Sequence, residues 1–171
     1  MQFRLLIAAL GGCLWLSACS ENRLEKCPSV SVLVDTATLP VTAANGTDLQ
    51  YTAFITKATR DCDIHRYEKE LDASVNIEFR ATRPNGSAAA TYTVPYFVAI
   101  TNEGRVLAKR QFAVRFTFEQ GQTAAAFSDS VSSLGLTAGR DKQPFEYGIV
   151  VGFQLTKAQL DYVRRAGRYA K

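Results

Sequence analysis

The sequence is poor in the residues that catalytic and metal sites use most often. Its 171 residues include one histidine, one tryptophan and four cysteines. A histidine-based catalytic site or a zinc site with about four ligands therefore has few residues to draw on. The chain also has no Gly-x-Ser-x-Gly motif, and no glycine-rich loop precedes a predicted helix. These absences predict a protein that is not an enzyme and that uses no metal and no cofactor.

An excess of charge of one sign is also missing. Lys and Arg number 20 against 16 Asp and Glu, which gives a formal net charge of +4. So small and scattered an excess does not indicate a nucleic-acid partner. With 47% hydrophobic and 21% charged residues, the composition is typical of a folded domain.

The first residues are predicted to be a targeting signal rather than part of the folded domain. Arg4 supplies a positive charge, and residues 5–16 are uncharged and mostly apolar. A short apolar run behind a cationic start is typical of a secretory signal, and a bilayer-spanning helix needs about 20 residues. The run ends in Leu16-Ser17-Ala18-Cys19, which resembles a bacterial lipobox. The resemblance implies cleavage before Cys19 and acylation of its sulfur. The alternative is an ordinary signal peptide with a cysteine at its end.

The sequence therefore divides into three parts. Residues 1–18 are predicted to be a lipoprotein signal peptide, 19–26 a lipidated Cys19 with a polar tether, and 27–171 a single domain. Several acyl chains on one cysteine give stable membrane anchoring. In enteric bacteria, an Asp directly after the lipidated cysteine signals retention in the inner membrane. Ser20 occupies that position here, so we expect an outer-membrane protein that faces the periplasm. A competing box that ends at Cys13 leaves too short an apolar core.

Two cysteines then remain for the domain, Cys27 and Cys62. In an oxidising envelope these two thiols are expected to pair. Strands near residues 30–34 and 49–58 are expected to form an antiparallel hairpin centred on Asn45-Gly46, which brings Cys27 opposite Cys62. The alternative is two unpaired thiols.

Alternation of apolar and polar residues with period two dominates residues 30–155 and predicts about seven β-strands. Such strands, apolar on one face, predict an all-β antiparallel sandwich of immunoglobulin-like or fibronectin-like architecture. A true immunoglobulin domain is not expected, because the only tryptophan is Trp15 in the signal. The strands are predicted near residues 30–34, 49–58, 71–81, 92–100, 112–118, 123–131 and 147–155.

A short amphipathic helix is predicted over residues 157–169. Thr156 and Gln159 have the spacing of a capping box, and the likeliest inward residues are Leu160, Val163 and Gly167. Three arginines in the second half are candidate interaction residues that could contact anionic lipid or a partner protein. The alternative is that they are cations favourably placed at a helix C-terminus. They are Arg164, Arg165 and Arg168.

The residues around Cys62 include the candidate metal-ligating and catalytic side chains of the sequence. Asp61, Asp63 and His65 are zinc-ligand types without enough partners, and a polar loop beside a disulfide is the simpler explanation. Glu68, Glu70 and Asp72 share one predicted strand face. They are the alternative basis for an envelope hydrolase that uses paired carboxylates or the single histidine. A solvated strand face is the simpler explanation.

Two stretches carry a family resemblance. Cys27-Pro28-Ser29-Val30 opens the domain, and Gly152-Phe153-Gln154-Leu155-Thr156-Lys157-Ala158-Gln159-Leu160 lies near its end. With these, the chain resembles a family of uncharacterised lipoproteins of alphaproteobacteria, which implies no activity and no functional residue. We therefore expect a membrane-anchored, non-enzymatic binding or scaffold module whose partner is an envelope protein or a cell-wall component. The hydrolase is the alternative.

Overall fold

A computed structural model describes residues 27–43, 48–65, 70–86, 88–137 and 142–166. The predicted signal, Cys19 and the tether up to residue 26 lie outside these residues, as does the predicted turn at Asn45-Gly46. The described residues form eight strands, two 3-10 turns (Val34–Thr36 and Pro144–Glu146) and one α-helix. The strands and the helix are β1 (Ser29–Val32), β2 (Thr38–Thr42), β3 (Leu49–His65), β4 (Glu70–Thr82), β5 (Ala90–Asn102), β6 (Arg105–Phe118), β7 (Ala124–Thr137), β8 (Tyr147–Phe153) and α1 (Lys157–Ala166).

The strands form two four-stranded sheets that face each other. Sheet A has the order β1-β8-β5-β6, and sheet B has the order β2-β3-β4-β7. The all-β prediction is thus confirmed, although there are eight strands rather than seven. The additional strand is β2, which contains Pro40. Proline is tolerated in β2 because β2 is an edge strand. In the sequence alone, a proline argues against a strand, so β2 was not predicted.

The predicted hairpin is wrong in its first strand. β1 pairs with β8, in parallel and in sheet A, whereas β2 is the antiparallel partner of β3 in sheet B. The alternation of Val30 and Val32 marks a half-buried strand but does not say which strand lies beside it. Because the chain crosses between sheets at Val34–Thr36, β1 and β3 belong to different layers.

The core lies between the sheets and follows the predicted alternation. Along β4 the inward residues Ala73, Val75, Ile77, Phe79 and Ala81 are all buried. The Phe79 ring lies 5.5 Å from Tyr96 of β5 and 5.9 Å from Phe153 of β8, so aromatic rings join the two sheets at its centre. Burial of each large apolar side chain contributes about 1.5–3 kcal/mol.

Two strand ends differ from the prediction for physical reasons. β6 begins at Arg105 rather than near residue 112, because residues 105–111 are all exposed and so show no apolar alternation. β8 ends at Phe153 rather than 155. The amide of Gln154 still donates to the Pro95 carbonyl at 3.0 Å, but Pro95 has no N–H with which to continue the ladder.

Strand directions define two regions of the sandwich. The proximal end holds Cys27, the start of β8 and the β5–β6 turn, since β1, β8 and β6 all start there. The distal half holds the end of β8, α1, and the loops that follow β4 and β6. The seven residues of β8 separate the two regions by about 20 Å.

Candidate functional site

A disulfide closes the proximal end. Cys27 and Cys62 are bonded, with their Cα atoms 6.0 Å apart, which confirms the predicted pair. Cys27 precedes β1 of sheet A and Cys62 lies in β3 of sheet B, so the bond joins the two sheets rather than two strands of one hairpin. A loop with a sequence separation of 35 residues gives about 3–4 kcal/mol of stabilisation by the loop-entropy estimate.

Helix α1 begins with the predicted capping box. The Thr156 amide donates to Oε1 of Gln159 at 2.9 Å, and the Gln159 amide donates to the Thr156 hydroxyl at 3.2 Å. Gln159 also donates from Nε2 to the Pro40 carbonyl at 3.0 Å, which docks the helix on β2. Leu160 and Val163 are half-buried, as expected of inward residues, and Gly167 lies outside the described residues.

The three candidate arginines have different surroundings. Arg164 donates from Nε to Oδ2 of Asp35 at 3.2 Å, although its side chain stays 57% exposed. Arg165 is exposed, and Arg168 lies outside the described residues. The structure thus gives Arg164 a partner on the Val34–Thr36 turn that the sequence did not indicate.

Exposed apolar side chains flank this ion pair. Leu33 and Val34 precede Asp35, and Tyr162 precedes Arg164; all three are about half exposed. Because α1 contacts the Val34–Thr36 turn, these residues and Arg165 lie on two adjoining segments of the distal half, one apolar and one basic. We call Leu33, Val34, Tyr162, Arg164 and Arg165 the distal surface.

A buried arginine orders the distal loops. Arg83 is only 8% exposed and stacks over the Phe118 ring, with its guanidinium carbon 4.7 Å from the ring centroid. Its nitrogens donate to three backbone carbonyls, those of Gln122 at 2.8 Å, Ala88 at 2.9 Å and Glu119 at 3.1 Å. The sequence does not indicate this role, because nothing in Arg83-Pro84-Asn85-Gly86 distinguishes a buried arginine from an exposed one.

Of the residues on which the alternative hydrolase was predicted, only the Asp72 side chain is described; Glu68 and the side chains of His65 and Glu70 lie outside the description. Asp72 is exposed and, with exposed Asp61 and Asp63, lines a shallow depression of about 170 Å³ beside Cys62. Small-molecule sites usually enclose about 300–1,000 Å³, so this depression is smaller than most of them. No group of three metal-ligating side chains occurs within the described residues.

Other polar groups between the sheets have structural roles. The Tyr96 hydroxyl donates to Oδ2 of Asp129 at 2.8 Å, which ties β5 to β7. Burial, together with this hydrogen bond, raises the pKa of Tyr96 well above its usual value. Burial also raises the pKa of Tyr51 to about 12, with a further contribution from Tyr92. Both hydroxyls therefore stay neutral at physiological pH.

The β5–β6 turn is a tight reversal. Glu103 and Gly104 have φ angles of 50° and 77°, as a two-residue hairpin turn with two left-handed residues requires. The Glu103 carboxylate accepts a hydrogen bond from Lys142, which lowers the pKa of Glu103 and raises that of Lys142. Lys142 also lies 3.8 Å from the Glu146 carboxylate. The turn is thus connected to the Pro144–Glu146 segment.

Comparison with known protein families, with curated proteins and with solved structures found no match for this chain. Within the described part of the chain, no helix has the length and apolar content that crossing a bilayer requires.

Proposed function

We propose that the protein is a lipid-anchored lipoprotein of the cell envelope that acts as a non-enzymatic binding or scaffold module. The observation that carries the proposal is one segment that combines a cationic start, an apolar run too short to span a bilayer and Leu16-Ser17-Ala18-Cys19. The Cys27–Cys62 disulfide supports it, because disulfides persist in oxidising compartments such as the periplasm. Ser20 favours the outer membrane.

Within this proposal, the distal surface is where a partner protein or cell-wall component binds. The tether enters the domain at Cys27, so α1 and the Val34–Thr36 turn lie away from the anchor and face the periplasm. An exposed tyrosine and arginines beside exposed aliphatic side chains are typical of interface anchors. Arg164 and Arg165, with Arg168, supply the positive charge for an acidic partner.

The proposal also includes an immunoglobulin-like or fibronectin-like relationship for the sandwich. Two packed four-stranded sheets and a disulfide that joins them support it. The connections differ from those of antibody domains, since three consecutive strands, β2, β3 and β4, lie in one sheet.

Cell fractionation tests the anchor. Wild-type protein is expected in the membrane fraction, and Cys19→Ala is expected either in the soluble fraction or as uncleaved precursor. Cys13→Ala is the matched control, because it removes the competing cysteine of the same segment, and it should behave as wild type. Release by Cys13→Ala, or unchanged membrane attachment of processed Cys19→Ala, contradicts the proposal.

Photo-crosslinking in living cells tests the binding surface. A crosslinking amino acid at Tyr162 is expected to give one discrete protein or cell-wall adduct, whereas the same amino acid at exposed Thr93 of β5 should give none. Replacing Arg164, Arg165 and Arg168 by Gln should reduce the Tyr162 adduct. Equal adducts from both positions, or no effect of the triple replacement, would remove the distal surface from the proposal.

A further inference from the structure

The proximal end exposes apolar side chains that the fold does not need. Val106 and Leu107 of β6 are 62% and 55% exposed, and Phe145 of the Pro144–Glu146 turn is 53% exposed. All three lie at the end where Cys27 enters sheet A. Leu107 is the extra residue of a bulge, since Ala108 pairs with Ile100 and Val106 with Thr101.

Polar contacts connect the segment that carries Phe145 to the β5–β6 turn, from which β6 begins. Lys142 bridges Glu103 at the tip of the β5–β6 turn and Glu146 beside Phe145. Nδ2 of Asn102 donates to the Glu146 carbonyl at 3.0 Å. Phe145 is thereby fixed next to the start of β6.

Cations flank Val106 and Leu107 along β6, and Lys142 pairs with the carboxylates of Glu103 and Glu146 beside Phe145. β6 contains four basic residues and no acidic residue, and three of the four, Arg105, Lys109 and Arg110, lie in its exposed first half. Lys109 places its ammonium 4.2 Å from the centroid of the Phe97 ring, at the outer edge of sheet A. We call Arg105, Val106, Leu107, Lys109 and Phe145 the proximal surface.

The strand register places this surface near Ser29, close to the point where the predicted tether joins the domain. Ser29, Gly148, Thr101 and Val106 lie in one row across sheet A. Three strand spacings separate Ser29 from Val106, or about 14 Å. The chain from Cys19 to Cys27 spans at most about 28 Å when fully extended. A bilayer that holds acylated Cys19 is therefore within reach of the proximal surface.

We propose that the proximal surface lies against a bilayer that contains anionic lipid, with Val106, Leu107 and Phe145 at the headgroup boundary and Arg105 and Lys109 among the phosphates. This inference rests on the proposed lipid anchor. Apolar side chains ringed by Lys and Arg are the chemistry that binds a protein to an anionic membrane surface.

The acidic side of the same end fixes the orientation. Asp61, Asp63 and Asp72 are exposed on the outer face of sheet B near Cys62. Anionic lipid repels these carboxylates, so the domain turns the β6 edge and its hairpin toward the bilayer and sheet B away from it. The distal surface then points away from the membrane.

Tryptophan fluorescence tests the proposal on the acylated protein in vesicles. Cleavage before Cys19 removes Trp15, the only tryptophan, so Phe145→Trp provides a single reporter and Tyr162→Trp a matched reporter in the distal half. On vesicles of phosphatidylglycerol and phosphatidylcholine with brominated acyl chains, the emission of Phe145→Trp should shift to the blue and be quenched. Tyr162→Trp should keep its emission. Adding Arg105→Glu and Lys109→Glu to Phe145→Trp should remove the quenching, whereas adding Arg165→Glu should not.

Flotation of the same vesicles separates the two proposals. If the protein does not float with them, the anchor is wrong and this inference falls with it. If it floats but Phe145→Trp is quenched no more than Tyr162→Trp, the anchor stands and the proximal surface is wrong. Quenching that is equal on pure phosphatidylcholine and insensitive to salt would overturn the role of the cations. An emission shift that needs an added envelope protein, and not lipid, would assign the surface to a protein partner and overturn the inference.

Discussion

The proximal end and the distal half of the sandwich are ordered by different chemistry. In the distal half, a buried arginine bonded to three carbonyls, a capped helix and the packed rings of Tyr51, Tyr92, Phe116 and Phe118 fill the structure. At the proximal end, the Cys27–Cys62 bond joins the sheets while the first half of β6 remains exposed. The two regions thus show two ways of stabilising a sandwich, by buried hydrogen bonds and packed rings in the distal half and by a covalent bond between the sheets at the proximal end.

Removing the disulfide should have the largest effect of any single change. Cys62→Ser is expected to lower the free energy of unfolding by about 3–4 kcal/mol, because the unfolded chain regains the entropy of an open loop. Urea denaturation of oxidised samples measures this difference. Wild type unfolded with a reductant present is the control and should match the variant. Equal stability of oxidised wild type and variant would show that the bond does not hold the proximal end.

The matching change in the distal half is Arg83→Met. It keeps much of the side-chain volume but removes the side-chain donor of three carbonyls, of which, within the described residues, only that of Glu119 keeps a bond, from the Gln122 amide, so we expect a loss of about 2–3 kcal/mol. Arg80→Met is the control, since Arg80 is exposed on β4, and it should change stability by less than about 0.5 kcal/mol. If the two variants have similar stabilities, the loops of the distal half do not depend on Arg83.

Alkaline pH should weaken the distal half in particular. The pKa of Tyr51 rises to about 12 in the fold from an unfolded value near 10. A raised pKa gives stability that is complete below pH 10 and is lost as the pH rises from 10 toward 12, by roughly 1–2 kcal/mol for this group. Urea titrations at pH 8, 10 and 11.5 measure the loss. Tyr51→Phe should flatten this decline, and an unchanged slope would contradict the assignment.

The smallest effect is expected on the distal surface. Arg164→Gln removes an exposed ion pair with Asp35, and such pairs contribute about 0.2–1 kcal/mol. Thermal unfolding in low and high salt checks this, since salt should reduce the difference from wild type. A loss as large as that of Arg83→Met would show that Arg164 belongs to the fold rather than to a binding surface.

The sequence was informative about local structure and much less about pairing. Alternation located seven of the eight strands, because a strand such as β4 buries every second residue from Ala73 to Ala81. It missed β2, where Pro40 breaks the pattern on an edge strand, and the first half of β6, which has no buried face. Two remaining cysteines in an expected oxidising compartment were enough to predict the Cys27–Cys62 bond. The hairpin that was expected to bring them together does not form, because β1 pairs with β8.

The candidate surfaces could be predicted only in part. The capping box and the arginines of α1 are local patterns, so the sequence placed them correctly up to Ala166. The role of Arg83 and the row from Ser29 to Val106 depend on contacts between distant segments, which no local pattern encodes. For the same reason, the sequence suggested a membrane contact for the arginines of α1, whereas β8 separates that helix from the end where the tether enters.

Intact mass spectrometry of the protein extracted from membranes tests whether Cys19 anchors this sandwich through its Cys27 end. We expect a mature chain that begins at Cys19, carries acyl chains on that residue, and gains the mass of two hydrogens on reduction of the Cys27–Cys62 bond. An unacylated mature chain that begins at any other residue would show that Cys19 is not the anchor.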